Sequence, residues 1–282
     1  MIAYLNGNYI PRDKAVISAE DRGFNFADGV YEVILSYSGR LFGLDAHMKR
    51  LRRSIDELRI HFDDIGKVKE IAERLLKEND LSSGDATVYI QITRGPAPRK
   101  HGFPPKDVPP TLFAYASAFK PREQELNEGI KIILKPDIRW TRCDIKSVSL
   151  LPNVLALQEA KERGAVEAVF MRDGAVTEGS HTSVFAVFDN KVFTAPKSHY
   201  ILSGIIRDVV LDLCRKRNIP FEEFPILESR MKKAEEFFIT STTSEITPVV
   251  QIDEWMVGNG NPGPVTRELQ GSFKELIEDF LR

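Results

Sequence analysis

Short apolar runs alternate with turn residues at the start of the chain, a pattern that is typical of β-strands. Residues 2–5 and 9–10 are apolar runs on either side of an Asn6-Gly7-Asn8 turn, and this pattern predicts a hairpin. The run Gly29–Tyr37 predicts a longer strand. The turn Ser38-Gly39-Arg40 predicts that the chain then folds back at Leu41-Phe42 to form a second hairpin. The chain is therefore predicted to begin with a sheet.

Helical spacing replaces this alternation further along. From Met48 to Leu58 apolar residues recur every three or four positions, and Asp45 is placed to cap this helix. Similar spacing predicts further helices at 66–78, 151–163, 205–217 and 264–281. Strands are predicted at 87–93, 111–116, 130–134 and 236–240, with three more after residue 164 that are joined by the turns Asp173-Gly174 and Asp189-Asn190. This succession of elements predicts an α+β fold with mixed sheets.

The length of the chain favours two domains. It has 282 residues, 42% of them hydrophobic, which is enough for a substantial core. The polar, proline-containing stretch Phe119-Lys120-Pro121-Arg122 is the candidate boundary. We predict a smaller N-terminal α/β domain at residues 1–119, a linker at 120–122 and a larger C-terminal domain at 123–282.

Charge and cysteine content exclude several classes of function. Lys and Arg number 39 and Asp and Glu 41, so the formal net charge of -2 attracts neither nucleic acid nor an anionic membrane, and a small-molecule partner is expected. The two cysteines, Cys143 and Cys214, are too few for a disulfide framework or a thiolate metal site, although the sequence allows one disulfide bond between them. The histidines are not paired at ligand spacing, so no metal is predicted. Without a signal-peptide pattern or a membrane-spanning apolar run, the prediction is a cytoplasmic protein.

A proline-rich loop carries a cluster of basic residues. Arg99, Lys100 and His101 lie in a segment with six prolines between residues 96 and 110, so little entropy is lost when an anion binds there. The cluster could trap a carboxylate. It could equally be an exposed basic turn.

Two segments could bind a phosphate group. Ser203-Gly204-Ile205-Ile206 opens a predicted helix, where free backbone amides and the helix dipole attract an anion. The second segment follows a predicted strand and carries five hydroxyl groups that can donate to phosphate oxygens. Its sequence is Thr240-Ser241-Thr242-Thr243-Ser244-Glu245. Both also have an ordinary interpretation, because many helices begin this way and Thr242-x-x-Glu245 matches a capping box.

Local spacing does not distinguish Lys146 as a Schiff-base lysine from a solvated surface lysine. Arg139 and Arg142 could lower its pKa if they approach it, and an amine must lose its proton before it attacks an aldehyde. Glu178 ends a predicted strand beside Gly179, where a flat ring could approach closely. Taken alone, Glu178 would be an ordinary surface carboxylate.

Five motifs follow one another along the chain: Asp21-Arg22-Gly23-Phe24 with Gly29-Val30-Tyr31-Glu32, His47-Met48-Lys49-Arg50-Leu51, Asp144-Ile145-Lys146-Ser147, Thr177-Glu178-Gly179-Ser180, and Ser241-Thr242-Thr243-Ser244-Glu245. In this order they resemble the signatures of the class IV aminotransferases, which use pyridoxal 5′-phosphate, through nearly the whole chain. The resemblance implies the two-domain class IV fold, with the cofactor at the domain interface and bound mainly by the larger C-terminal domain.

The resemblance also implies roles for individual residues. Lys146 would be the catalytic lysine that carries the cofactor, and Glu178 would pair with the pyridine nitrogen. His47 would support Arg50 from one turn earlier on the helix. The residues implied to hold the phosphate are Arg50, Ile205, Ile206, Ser241 and Thr242. Two positions depart from the pattern, because Ile206 replaces a threonine and His181 replaces a small hydroxyl residue.

The basic loop resembles the carboxylate trap of the D-amino-acid transaminase branch, in which Arg99 and His101 would act with Tyr31 across a homodimer interface. This branch would transfer amino groups between D-amino acids such as D-alanine or D-glutamate and 2-oxo acids such as pyruvate or 2-oxoglutarate. Alternatives on the same fold are a branched-chain L-amino-acid transaminase and an aminodeoxychorismate lyase. A catalytically silent binding module is the non-enzymatic alternative.

Overall fold

The computed structural model describes all 282 residues and divides them into two compact units. The first comprises Met1–Lys120, Ile145–Ser149 and Leu281, and the second comprises the remainder, chiefly Pro121–Asp144 and Leu150–Phe280. The sequence places residues 123–282 in one continuous domain, whereas Ile145–Ser149 groups with the first unit. Backbone pairing explains this, because Tyr31 donates its N–H to the Lys146 carbonyl at 3.0 Å. Local sequence patterns do not signal such a return of the chain.

The first unit is built on an antiparallel sheet with helices packed against it. Its elements are β1 (Ile2–Leu5), β2 (Asn8–Pro11), a 3₁₀ turn (Arg12–Lys14), α1 (Arg22–Phe26), β3 (Gly29–Tyr37), β4 (Arg40–Leu41), α2 (Leu44–Glu57), α3 (Ile65–Glu78), β5 (Ala86–Thr93) and β6 (Thr111–Ala118). The strand order is β2-β1-β6-β5-β3-β4. Buried side chains of α2 and α3, such as Leu51 and Leu75, pack with the alternate buried residues of β5 to form the core.

The start of α2 differs from the prediction. The helix begins at Leu44 after Gly43, whose left-handed backbone (φ 62°) ends the preceding turn. Asp45 lies inside the first turn and forms an ion pair with Lys69. Its predicted capping role is therefore wrong by two positions, because Gly43 is the N-cap residue and Asp45 is the second residue of the helix.

The second unit contains a mixed sheet. Its elements are α4 (Glu123–Glu128), β7 (Ile130–Pro136), α5 (Leu151–Glu162), β8 (Glu167–Arg172), β9 (Ala175–Gly179), β10 (Ser183–Phe188), β11 (Lys191–Thr194), α6 (Ile205–Arg217), β12 (Phe221–Glu223), α7 (Glu228–Met231), β13 (Glu236–Ser241), β14 (Glu245–Ile252), β15 (Trp255–Met256) and α8 (Pro264–Leu281). The order is β12-β11-β10-β13-β14-β7-β8-β9, with β15 beside β14. Strand β7 runs parallel to both β14 and β8, so the sheet is mixed as predicted.

Two features of this sheet correct the sequence interpretation. Four strands rather than three lie between residue 164 and helix α6, because residues 180–182 form a further tight turn in which Gly179 donates its N–H to the Thr182 carbonyl at 2.7 Å. Thr242 and Glu245 do not cap a helix, since residues 242–244 join β13 to β14 and Glu245 is the first residue of β14. None of the helices combines the length and the apolar character that crossing a bilayer requires.

Gly95 closes the proline-rich loop, and we expect its replacement to destabilise the chain. Its φ is +89°, and an added Cβ would lie 2.1 Å from the Pro109 carbonyl oxygen. Gly95→Ala should lower the free energy of unfolding by about 1 to 3 kcal/mol, measured by urea denaturation. Gly102→Ala is the matched control in the same loop, because an added Cβ there meets no atom within 4 Å. Equal effects of the two substitutions would contradict this account of loop closure.

Candidate active site

Lys146 lies against strand β3 of the first unit. Its Nζ is 4.2 Å from the centroid of the Tyr31 ring, a distance at which an ammonium is attracted to the aromatic face. Its backbone N–H donates to the Ser54 Oγ at 3.2 Å, and Ser147 forms a β-bridge with Val30. The backbone around Lys146 is therefore held by Ser54 and by strand β3, and its amine lies over the Tyr31 ring.

A buried carboxylate on the same strand organises Arg50 and His47. Glu32 is fully buried and accepts from Arg50 Nε at 2.7 Å and Arg50 Nη2 at 2.8 Å. Its Oε2 is also 2.8 Å from His47 Nδ1. Burial lowers the pKa of His47, so the neutral ring donates from Nδ1. The predicted support of Arg50 by His47 thus runs through Glu32, which contacts both.

Tyr31, Arg99 and His101 form two separate groups within one chain. Tyr31 stacks on Tyr89 with ring centroids 5.9 Å apart and carries Lys146 on its face. Arg99 and His101 instead share Phe26, at 5.0 Å and 5.6 Å from its centroid. The structure therefore places Arg99 and His101 against one ring, whereas Tyr31 contacts Tyr89 and Lys146.

Glu178 lies at the end of β9 in the second unit and is buried. Its Oε1 accepts from Arg139 Nη1 at 2.5 Å and its Oε2 accepts from the Leu202 N–H at 2.9 Å. Burial raises the pKa of Glu178, and the Arg139 guanidinium opposes this rise. Arg139 also binds Asp137 with two nitrogens, and Arg142 binds Asp144. Both arginines that the sequence offered as neighbours of Lys146 are thus engaged by carboxylates of their own unit.

The two candidate phosphate segments approach each other in the second unit. Helix α6 begins after Gly204 without a side-chain cap, and a Cβ at Gly204 would lie 2.6 Å from Ser183 Oγ. Ser183 pairs in the sheet with Thr240, whose buried Oγ1 has no hydrogen-bond partner, and Ser241 follows directly. Uncapped amides and an unpaired hydroxyl at adjacent positions fit an anionic group such as a phosphate.

Comparison with known proteins decides the family. The sequence model of the amino-transferase class IV family matches residues 29–252. The chain belongs to this family. D-alanine aminotransferase of Staphylococcus haemolyticus is 41% identical to it over 98% of this chain and 97% of that protein. The corresponding Bacillus licheniformis enzyme is 40% identical, with the same coverage of each chain.

Solved class IV aminotransferases share the fold. Branched-chain amino acid aminotransferase from Escherichia coli superposes with a TM-score of 0.86 at 25% identity, covering 98% of this chain and 93% of that one. The Thermoproteus uzoniensis enzyme gives a TM-score of 0.86 at 23% identity, covering 98% and 94%. The predicted class IV fold and the predicted aminotransferase are confirmed.

Several buried carboxylates of this aminotransferase were not predicted as functional. Glu32 appeared only as part of a motif, and Asp137 and Glu167 were not singled out. Glu167 accepts from Ser180 Oγ at 2.5 Å and from Thr182 Oγ1 at 2.8 Å, and so holds the turn that follows Glu178. A charged residue inside an apolar strand was the available signal, since both Glu32 and Glu167 interrupt such runs.

Stability should depend on the ionised Glu32. Burial raises the pKa of this carboxyl, but Arg50 and His47 together hold it far below the ordinary value of 4.5. The unfolded chain therefore takes up the proton first as the pH falls. The stabilisation is therefore present above pH 4.5 and is lost as the pH falls below it. In urea denaturation at pH 7, Glu32→Gln should cost about 3 to 5 kcal/mol, because Arg50 loses a buried partner. It should also flatten the pH dependence on the acid side.

Glu78→Gln is the control for this experiment. Glu78 forms a surface pair with Arg74 one helical turn away, and such pairs contribute at most about 1 kcal/mol. If both substitutions change the free energy of unfolding equally, Glu32 does not have the role assigned to it.

Proposed function

We propose that this class IV aminotransferase transfers amino groups between D-amino acids, such as D-alanine and D-glutamate, and 2-oxo acids, such as pyruvate and 2-oxoglutarate. The observation that carries the proposal is that Arg99 and His101 both contact Phe26, in a loop closed by Gly95. A guanidinium and an imidazole on the same loop can each donate to an oxygen of a substrate carboxylate. The relatives named D-alanine aminotransferase, at about 40% identity over nearly the whole chain, support the same substrate class.

The cofactor of the proposed reaction is pyridoxal phosphate, which supplies an electron sink for the charge left on the substrate Cα when its proton departs. Lys146 would hold the cofactor, and its Nζ would take up the proton that leaves the substrate Cα. The amine must be neutral for this step, because only an amine with a free lone pair can accept a proton. The residues assigned to the phosphate are Arg50, Ile205 and Ile206 with their amides, and Ser241 and Thr242 with their hydroxyls.

Glu178 is assigned to the ring nitrogen. A carboxylate there keeps that nitrogen protonated, and the ring withdraws electrons more strongly in this form. Each oxygen of Glu178 accepts one bond from the protein and has a further lone pair for another donor. The Arg139 guanidinium favours the ionised carboxylate against the effect of burial.

We propose that the enzyme is a homodimer in which Arg99 and His101 of one copy serve Lys146 and Tyr31 of the other. Within one chain Arg99 and His101 contact Phe26, while Lys146 contacts Tyr31, and this division into two groups supports the arrangement. An apolar face of α5 offers a surface for it, because Leu151, Val154 and Leu155 are each more than half exposed.

The buried cysteines, which form no disulfide, agree with a cytoplasmic location.

A branched-chain L-amino-acid transaminase is the second candidate, because solved enzymes with that name share the fold. Purified holoenzyme mixed separately with D-alanine and L-leucine distinguishes the two. We expect D-alanine to convert the lysine-bound cofactor to its amine form, with one pyruvate released per cofactor, and L-leucine to react far more slowly. Conversion by L-leucine alone would leave the family intact and reject the D-amino-acid assignment. Lys146→Ala should react with neither.

Loss of the Arg99 charge should weaken substrate binding. Arg99→Ala should raise the KM for D-alanine by roughly 10- to 150-fold, which corresponds to about 1.5 to 3 kcal/mol for a charge-assisted contact. Lys100→Ala is the matched control, because Lys100 is exposed and adjacent to Arg99. Its KM should stay within about twofold of the parent value.

Mixed dimers test whether the loop acts across the interface. Chains with Lys146→Ala are refolded together with chains carrying Arg99→Ala. If Arg99 acts on the Lys146 of the other chain, each mixed dimer contains one site in which both residues are intact. Activity at low D-alanine concentration should exceed the sum of the two separate variants. If mixing restores nothing, Arg99 serves the Lys146 of its own chain.

A further inference from the structure

Arg22 holds the backbone on both sides of His101. From helix α1 its Nη1 donates to the Lys100 carbonyl at 2.7 Å and to the Gly102 carbonyl at 3.3 Å. Its own N–H donates to the Gly95 carbonyl at 3.0 Å, at the start of the same loop. The side chain is buried, so these contacts are shielded from water.

Asp28 holds Arg22 in turn. Its Oδ2 accepts from Arg22 Nε at 2.9 Å and from Arg94 Nε at 2.7 Å. Although burial raises the pKa of Asp28, hydrogen bonds from these two guanidinium groups hold it below its ordinary value, so the carboxylate is charged. Arg94 lies over the Phe103 ring at 3.7 Å, on the far side of His101 along the loop. One carboxylate thus anchors the loop through two arginines.

Phe26 connects this anchor to the side chains of the loop. The Arg22 guanidinium carbon is 4.7 Å from the Phe26 centroid, and Arg99 and His101 contact the same ring. The ring therefore sets the orientation of both side chains, while Arg22 sets the path of their backbone.

We propose that Arg22 is a positioning residue for binding of the substrate carboxylate. It acts without touching substrate, by fixing the carbonyls that flank His101 and the ring on which Arg99 lies. This proposal rests on the proposed function, because it takes Arg99 and His101 to be the carboxylate site. Its geometry is independent of the cofactor, since none of these contacts involves Lys146, Arg50 or Glu178.

The test is Arg22→Lys in the holoenzyme. The lysine ammonium keeps its charge beside Asp28, but it lacks the planar donor array that reaches Asp28 and both carbonyls together. We expect the KM for D-alanine, and the inhibition constant of propionate as a carboxylate probe, to rise by roughly tenfold or more. The kcat at saturation and the cofactor spectrum should change little.

Arg52→Lys is the matched control. Arg52 also donates to two loop carbonyls of the first unit, those of Phe62 and Asp63, but contacts no part of the proline-rich loop. Its KM should stay within about twofold of the parent value. Equal rises in KM for both variants would overturn the proposal, because the effect would then be general destabilisation. A lower kcat with unchanged KM for Arg22→Lys would also overturn it.

Phe26→Leu provides a second variant if Arg22→Lys does not fold. Phe26 is only half buried, and the substitution should raise the KM for D-alanine in the same way. An unchanged KM would count against the proposal. Arg99→Ala distinguishes failure of the proposed carboxylate site from failure of the positioning role of Arg22. If Arg99→Ala leaves the KM unchanged, Arg99 does not bind the substrate carboxylate. If Arg99→Ala raises the KM and the Arg22 and Phe26 variants do not, only the positioning role fails.

Discussion

The carboxylate of Glu32 is removed from water, and the first unit supplies donors in place of the lost hydration. An ionised carboxylate in this environment costs several kcal/mol unless charged or polar donors surround it. Arg50 provides two N–H groups and His47 provides a third, so one buried charge determines the positions of both side chains. Because Tyr31 precedes Glu32 on β3, the same strand also determines the ring that lies beneath Lys146.

The same constraint recurs in the second unit. Glu167 orders the turn after Glu178 through hydroxyl and amide donors. Glu236 accepts from the backbone N–H groups of Val265 and Thr266 and thereby caps helix α8. A chain that places acidic residues inside apolar strands must bring donors from distant segments to them. Many of the long-range contacts that shape the proposed site therefore satisfy buried charge.

Sequence patterns predicted the regular elements better than the contacts between them. Strand Gly29–Tyr37 and helices Ile205–Arg217 and Pro264–Leu281 were predicted with their observed bounds, because each has one unbroken period. Strand Glu245–Ile252 was missed, since Pro248 interrupts the run and a proline argues against an interior strand.

The candidate site followed from family resemblance and not from local spacing. Arg139 and Glu178 lie 39 positions apart in the chain, and no periodicity relates residues at that separation. The role of Glu32 was likewise hidden, because its partners lie on a different element. Hydrogen-bond partners of this kind are determined by tertiary packing, which one sequence does not display.

The segment Ile145–Ser149 has a consequence for how such a protein can change over generations. The residues on either side of it belong to the second unit, while the segment itself pairs with β3 of the first. A single genetic crossover at the boundary near residue 120 would exchange the strand beneath Lys146 and leave the lysine behind. Recombination at this boundary therefore cannot exchange the two units independently. The lysine and its supporting strand must come from the same parent gene.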